Sequence, residues 1–129
     1  MKTFTTILLK PDALERNICG ELISAFEDSN FKIEEIKSTI ATIDRLSSHY
    51  GAHVSKEFYS DLIRAMVDKP LIAISASYEG DVPAFELGRH IVNAVRKHYG
   101  NIVQGPRNLV HCSDAEHEVG REYFIWFCT

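Results

Sequence analysis

A chain of 129 residues with 45% hydrophobic and 25% charged content has the size and composition of a single globular domain, residues 1–129, able to bury one core without disulfides or metal. Fourteen Lys plus Arg against eighteen Asp plus Glu leave a net charge of −4, which argues against the broad basic face of a nucleic-acid binder and leaves any phosphate ligand to a local basic cluster. Cys19, Cys112 and Cys128 form no C-x-x-C pair, which excludes a disulfide framework or structural zinc site. The opening apolar run stops at Lys10-Pro11, too short for a signal peptide or membrane span, so a cytoplasmic protein with reduced thiols is expected.

In chain order, Phe4 to Leu9 is a short β-rich run ended by Lys10-Pro11, which predicts a buried first strand with proline forcing the exit. Ile18, Leu22, Ile23 and Phe26 recur at helical spacing before the stop Ser29-Asn30, giving helix one. Phe31, Ile33 and Ile36, continuing to Ile40 and Ile43, predict a second strand of imperfect period. Asp44 is read as the cap of a helix through Leu46 to Tyr50. Ser55 is read as the cap of another, carrying Phe58, Leu62, Ile63 and Met66 on one stripe.

Lys69-Pro70 ends that insert, and Leu71 to Tyr78 is a third strand bounded by Glu79-Gly80-Asp81. Pro83 opens a second long helix, with Phe85, Gly88, Ile91, Val92 and Val95 running to about His98. Residues 99–112 lack periodicity and read as a loop. Ser113 to about Arg121 reads as a short helix, with Ser113 and Glu116 at capping-box spacing, and Tyr123 to Phe127 as a last buried strand. The order predicts an α+β, ferredoxin-like βαββαβ sandwich: an antiparallel sheet, helices on one face, and a helical insert between strands two and three.

The chemistry gathers around Pro106 to Asp114. There a loop histidine, His111, precedes what reads as a helix start, where unpaired N–H groups favour an anion. A neutral imidazole beside an anion site is a candidate nucleophile, although a loop histidine with a structural hydrogen bond is the ordinary alternative. Lys10, projecting from the end of strand one, is a candidate phosphate ligand or a solvated surface lysine. Arg89 and Arg96, seven residues apart, fall on one helix face with Asn93 between them. They either clamp an oligophosphate or form a solvated stripe. Glu122 is placed to orient His111 or to face solvent. Cys112 carries no catalytic signature and reads as a spectator.

Taken together, Ile7-Leu8-Leu9-Lys10-Pro11-Asp12-Ala13, His49-Tyr50, Arg107 through Asp114 and Ile125-Trp126-Phe127 closely resemble the nucleoside diphosphate kinase family, in order over nearly the whole chain. The resemblance implies a ping-pong transfer in which His111 takes the γ-phosphoryl group of a nucleoside triphosphate and passes it to a nucleoside diphosphate. It also implies that Glu122 and Ser113 support His111, and that Lys10, Tyr50 and Asn108 contact the transferring phosphate or the sugar. Arg89 matches a phosphate arginine, Phe58 the aromatic that stacks on the base, and Leu62 lines the same base pocket. Mg²⁺ arrives with the nucleotide, with few protein ligands.

Between Arg89 and Asn108 the family's long loop is shortened, which makes Arg96 the candidate second phosphate arginine and Asn93 a substitute for a phosphate-binding threonine. The family's small apolar residue that faces the base opposite Phe58 is lost, with Gly105 or Val103 nearby. The resemblance implies a homo-oligomer, with a dimer as minimal unit and a hexamer only if residues 99–107 or the insert replace the lost contacts. The competing readings are a catalytically weak nucleotide-binding or regulatory relative and a ferredoxin-like nucleic-acid module, the latter disfavoured by the net charge.

Overall fold

A computed structural model describes residues 1–51, 54–57, 59–99 and 108–129. The order is β1 (Lys2–Leu9), α1 (Pro11–Glu15), α2 (Cys19–Glu27), β2 (Lys32–Ile40), α3 (Ile43–Tyr50), α4 (Tyr59–Met66), β3 (Pro70–Glu79), α5 (Ala84–His98), β4 (Val110–Cys112) and α6 (Glu116–Phe127). The strands lie in the order β2-β3-β1-β4 and every neighbouring pair is antiparallel. This is the expected βαββαβ sandwich, with α3 and α4 as the insert between β2 and β3.

The fourth strand, however, is not Tyr123–Phe127. It is Val110–Cys112, inside the segment read as a loop, and Tyr123–Phe127 is the end of α6. Glu122, Ile125 and Trp126 are the buried residues of α6, at i, i+3 and i+4, whereas Phe124 is exposed. A short apolar run fits a buried strand and a buried helix end equally well, so periodicity could not separate the two. The Ser113 cap is corrected too: α6 starts at Glu116 after Ala115, with no side-chain cap bond. In the insert, Thr42 rather than Asp44 caps α3, its Oγ1 accepting from the Arg45 amide at 3.2 Å. Pro11-Asp12-Ala13 opens the short helix α1, an element not expected from the sequence, which suits a proline at its first position.

Strand alternation divides the core in two. Ile7 and Leu9 of β1, Ile74 and Ala76 of β3 and Val110 and Cys112 of β4 pack with Leu22 and Phe26 of α2 and Ile91, Val92 and Val95 of α5. Leu8, Leu71 and Ala73 point the other way, onto Leu46, Tyr50, Leu62, Met66, Ile125 and Trp126. Thus α2 and α5 share one face as expected, and the insert with α6 covers the other. His111 pairs with Leu8 and so belongs to the second face.

Helix α5 approaches β4 closely because residue 88 has no side chain. A Cβ there would stand 2.5 Å from Cys112 Sγ. That approach brings Arg89, the next residue, beside the strand that carries His111.

Candidate active site

His111 is 14% exposed at its side chain, and its Nε2 lies 3.0 Å from Glu122 Oε1. Ser113 Oγ donates to the same carboxylate oxygen at 2.8 Å. Glu122 reaches this position from the second turn of α6, whose buried stripe lies against the sheet, and not from a loop before a strand as expected from sequence. A carboxylate only accepts, so Nε2 carries the hydrogen, and in the neutral ring Nδ1 carries the lone pair. Among the described residues nothing is hydrogen-bonded to Nδ1. The ring is therefore oriented at one nitrogen and available at the other.

A second imidazole completes the network. Trp126, fully buried, donates its indole N–H to His49 Nδ1 at 2.9 Å. Indole N–H is only a donor, so neutral His49 must hold its hydrogen on Nε2, which lies 3.8 Å from Glu122 Oε2. The two histidine rings meet edge to face at 4.7 Å between centroids. His49, His111 and Glu122 have ligand atoms within 4.8 Å of one another. Their tautomers nevertheless turn N–H groups, not lone pairs, towards the carboxylate, so the cluster is built to hold an anionic side chain and not a metal.

Lys10 ends β1 and is 3% exposed, with Nζ donating to Asn108 Oδ1 at 2.8 Å. Burial pulls its pKa down to about 8, with Arg96 adding to the fall and Asp12 opposing it. A desolvated ammonium of this kind favours an arriving anion. Asn108 starts a tight γ-turn: Val110 N–H donates to Asn108 O at 2.8 Å across Leu109, whose φ is 71°. A buried leucine at positive φ costs about 1–3 kcal/mol. The buried carboxylate of Asp12 accepts from Leu109 N–H at 3.0 Å, and Lys10 N–H donates to Leu109 O at 2.9 Å, fixing both sides of the residue.

The predicted arginine face is present. Arg89, Val92, Asn93 and Arg96 of α5 line a cleft of about 80 Å³ with His111, Cys112 and Asp114. Arg89 Nε is 3.8 Å from Asp114 Oδ1. Arg96 is partly committed, since its Nε donates to Asn108 O at 3.1 Å and one Nη to Val110 O at 2.7 Å. On the other side of His111 a wider cleft of about 310 Å³ is bordered by His49, Tyr50, Asp114, Ala115, His117, Glu118, Arg121 and Glu122.

Tyr50 is buried. Its hydroxyl lies 3.9 Å from Met66 Sδ, and burial together with nearby Glu122 raises its pKa, so it is a neutral donor. Leu62 packs with Tyr50 and Met66 as a core residue. Phe58, Arg107, Gly105, Val103 and most of the shortened loop lie outside the described residues. Cys112 is a protonated spectator: burial pushes its thiol up to about 12, and Thr5 Oγ1 is 3.2 Å away.

Lys10, Asn108, His111, Ser113, Glu122, Arg89 and Arg96 thus lie around one locus. Sequence reasoning assigned no role to Asp12, His49 or Trp126. Only Trp126 lay in a stretch expected to be buried, where an indole N–H must have a partner; Asp12 and His49 carried no such local signal.

Residues 3–129 match the family model described as Nucleoside diphosphate kinase. A nucleoside diphosphate kinase of Methanosphaera stadtmanae is 34% identical, covering 98% of this chain and 87% of that protein. One of Methanococcus maripaludis is 30% identical, covering 95% and 96%. Among solved structures, a nucleoside diphosphate kinase family protein of Babesia bovis is 28% identical with a TM-score of 0.82, covering 97% of this chain and 88% of that one. The fold is also that of a Halobacterium salinarum nucleoside diphosphate kinase in complex with CDP, with a TM-score of 0.84 at 24% identity, covering 100% and 90%.

Proposed function

Since the chain belongs to the nucleoside diphosphate kinase family, we propose that His111 Nδ1 is the atom that carries the phosphoryl group in that family's ping-pong reaction. The observation that supports this most directly is the His111 Nε2 contact to Glu122 at 3.0 Å, which leaves the Nδ1 lone pair unengaged. In the first half-reaction that lone pair attacks the γ-phosphorus of a nucleoside triphosphate. The bond to the β,γ-bridging oxygen breaks, and its electron pair leaves with the nucleoside diphosphate. The N–P bond puts positive charge on the ring, which the Glu122 carboxylate balances through Nε2–H while Ser113 holds the carboxylate in place. A terminal phosphate oxygen of a second nucleoside diphosphate reverses the sequence and regenerates neutral His111.

Lys10, Arg89, Asn108 and the uncommitted N–H groups of Arg96 are the proposed phosphate ligands. Arg89 and Arg96 line one cleft with His111, and Lys10 is linked to Arg96 through Asn108, which supports this; Tyr50 is proposed as a neutral support at the site's other side. Phe58 remains the proposed stacking partner of the base. Mg²⁺ is proposed to arrive on the nucleotide and neutralise phosphate charge when bound. It prefers oxygen ligands and keeps waters, and Asp114 is the carboxylate that lines the arginine cleft among the described residues.

The same reading takes residues 1–129 as one catalytic unit, cytoplasmic, working as a homo-oligomer with a dimer as its minimal form. No helix among the described residues is long and apolar enough to cross a membrane. The strand β2 lies at a sheet edge and exposes Ile36 and Ile40, which supports self-association through that side.

The test is a single-turnover labelling. Incubation with γ-labelled triphosphate should place one acid-labile, base-stable phosphate on His111, and addition of unlabelled nucleoside diphosphate should discharge it. Label on another residue would move the nucleophile. Binding without label would favour the catalytically weak relative.

A further inference from the structure

Arg96 enters the functional reading as a phosphate ligand, yet two of its donors are spent elsewhere. Asn108 and Val110, whose carbonyls they hold, flank Leu109, the one site residue with positive φ among the described residues. Their carbonyls lie on the side of β4 turned away from β1, because Leu109 O faces Lys10 N–H. One guanidinium therefore spans the γ-turn from outside, while Asp12 and Lys10 hold its inner peptide groups.

We propose that Arg96 is a positioning residue: from helix α5 it pins the strained Asn108-Leu109-Val110 turn, and so fixes where Asn108 and His111 stand against the γ-phosphate. Three observations converge on this. The fork geometry fits: Nε and one Nη reach carbonyls two residues apart, which a point-charge ammonium cannot reproduce. The turn needs holding, because a non-glycine residue at φ 71° has relaxed conformations close by in which the Val110 amide would leave the Asn108 carbonyl. The position also matters for chemistry, since His111 follows the turn directly and Asn108 presents its side chain to Lys10. A helix that carries Arg89 on the same face thereby couples phosphate binding to the alignment of the nucleophile.

This inference rests on the reading of His111 as nucleophile, and the experiment separates the two. The full-length protein and Arg96→Lys are compared in three measurements: affinity for a nucleoside diphosphate, rate of phosphohistidine formation at saturating triphosphate, and hydrogen exchange at the Val110 amide. The lysine variant keeps the charge and loses the fork. It should bind the diphosphate within about twofold of wild type, because attraction to phosphate survives. It should phosphorylate about ten- to a hundredfold more slowly at saturation, as expected for a misplaced reacting group, and exchange faster at Val110 than at the amides of β3.

Weaker binding with an unchanged saturating rate would overturn the proposal and make Arg96 a phosphate ligand only. Faster exchange spread evenly over the sheet would also overturn it, as would no change in any measurement. Should wild type itself take no label on His111, the nucleophile assignment fails separately. The Val110 exchange then still decides whether Arg96 holds the turn.

Discussion

His111 and Cys112 are adjacent on a three-residue strand, and their side chains point to opposite faces of the sheet. Cys112 enters the layer closed by α2 and α5, touches the space left by Gly88, and has its thiol pushed up to about 12. His111 enters the face covered by α3 and α6, where a buried carboxylate takes its Nε2–H and a cleft stays open beside it. Two residue types able to act as nucleophiles are thus separated by pleat alone. Reactivity at this strand is set by which layer a side chain enters, not by its chemical type.

The largest effect that would break this contrast is total: His111→Ala should abolish phosphoryl transfer while retaining nucleotide binding, checked by calorimetry beside the transfer assay. Activity surviving in that variant would mean that the open face is not the reactive one. Next, Glu122→Gln should lower the saturating rate by about 10²- to 10⁴-fold, the usual weight of a group that balances charge on a reacting base. Its amide can also donate to His111 Nε2 and select the wrong tautomer. A loss below tenfold, read in stopped-flow, would reduce Glu122 to a spacer.

On the closed face, Gly88→Ala should destabilise the fold by about 1–3 kcal/mol through the clash with Cys112 Sγ. Cys112→Ala in the same chain should recover most of that in chemical denaturation. Failure of the second change to rescue the first would mean that α5 is held off β4 by something else. The smallest effect on activity is expected from Cys112→Ala alone, which should transfer phosphate within about twofold of wild type, as a protonated, enclosed thiol takes no part.

Lys10 sharpens the contrast through pH. Its folded pKa of about 8 lies below the ordinary lysine value. Diphosphate affinity should be constant below pH 8 and weaken above it, as the free protein's ammonium is lost. Binding should take up a proton near pH 8.5. Without ligand the sign for stability is the reverse. Between pH 8 and the ordinary lysine pKa the unfolded chain binds more protons, so this group's penalty is present below pH 8 and is relieved as pH rises. Isothermal titration in two buffers of different ionisation heat would detect the uptake, and its absence would place Lys10 outside the ligand's reach.

Much of this arrangement was legible in the residues because it follows period. The i, i+7 pairing of Arg89 and Arg96 needs only helix geometry, and the alternation of Ile7, Leu8 and Leu9 needs only a strand. The misreadings occurred where length removed the period. Three residues of β4 show too little alternation to stand out from a loop, and Phe124-Ile125-Trp126-Phe127 is apolar enough to hide that Glu122, Ile125 and Trp126 form a helical stripe. Asp12 and His49 were invisible for another reason. Their partners, the Leu109 amide and the Trp126 indole, lie 97 and 77 residues away, and no local pattern encodes a contact of that range.

The two margins of the sheet differ in a way that bears on solubility and assembly. An outermost strand offers spare amide and carbonyl groups to any passing chain, and proteins blunt such rims with charge or irregular geometry. On β4 the rim is short, bent by the turn at Leu109, and capped where Arg96 fills the carbonyls of Asn108 and Val110. On β2 nine residues lie along the rim, interrupted only by the irregularity between Ile33 and Glu35. Arg96 therefore stands where a fifth strand would, occupying carbonyls of the β4 margin that would otherwise be open to intermolecular pairing, whereas β2 keeps a longer rim of the kind to which another strand could add.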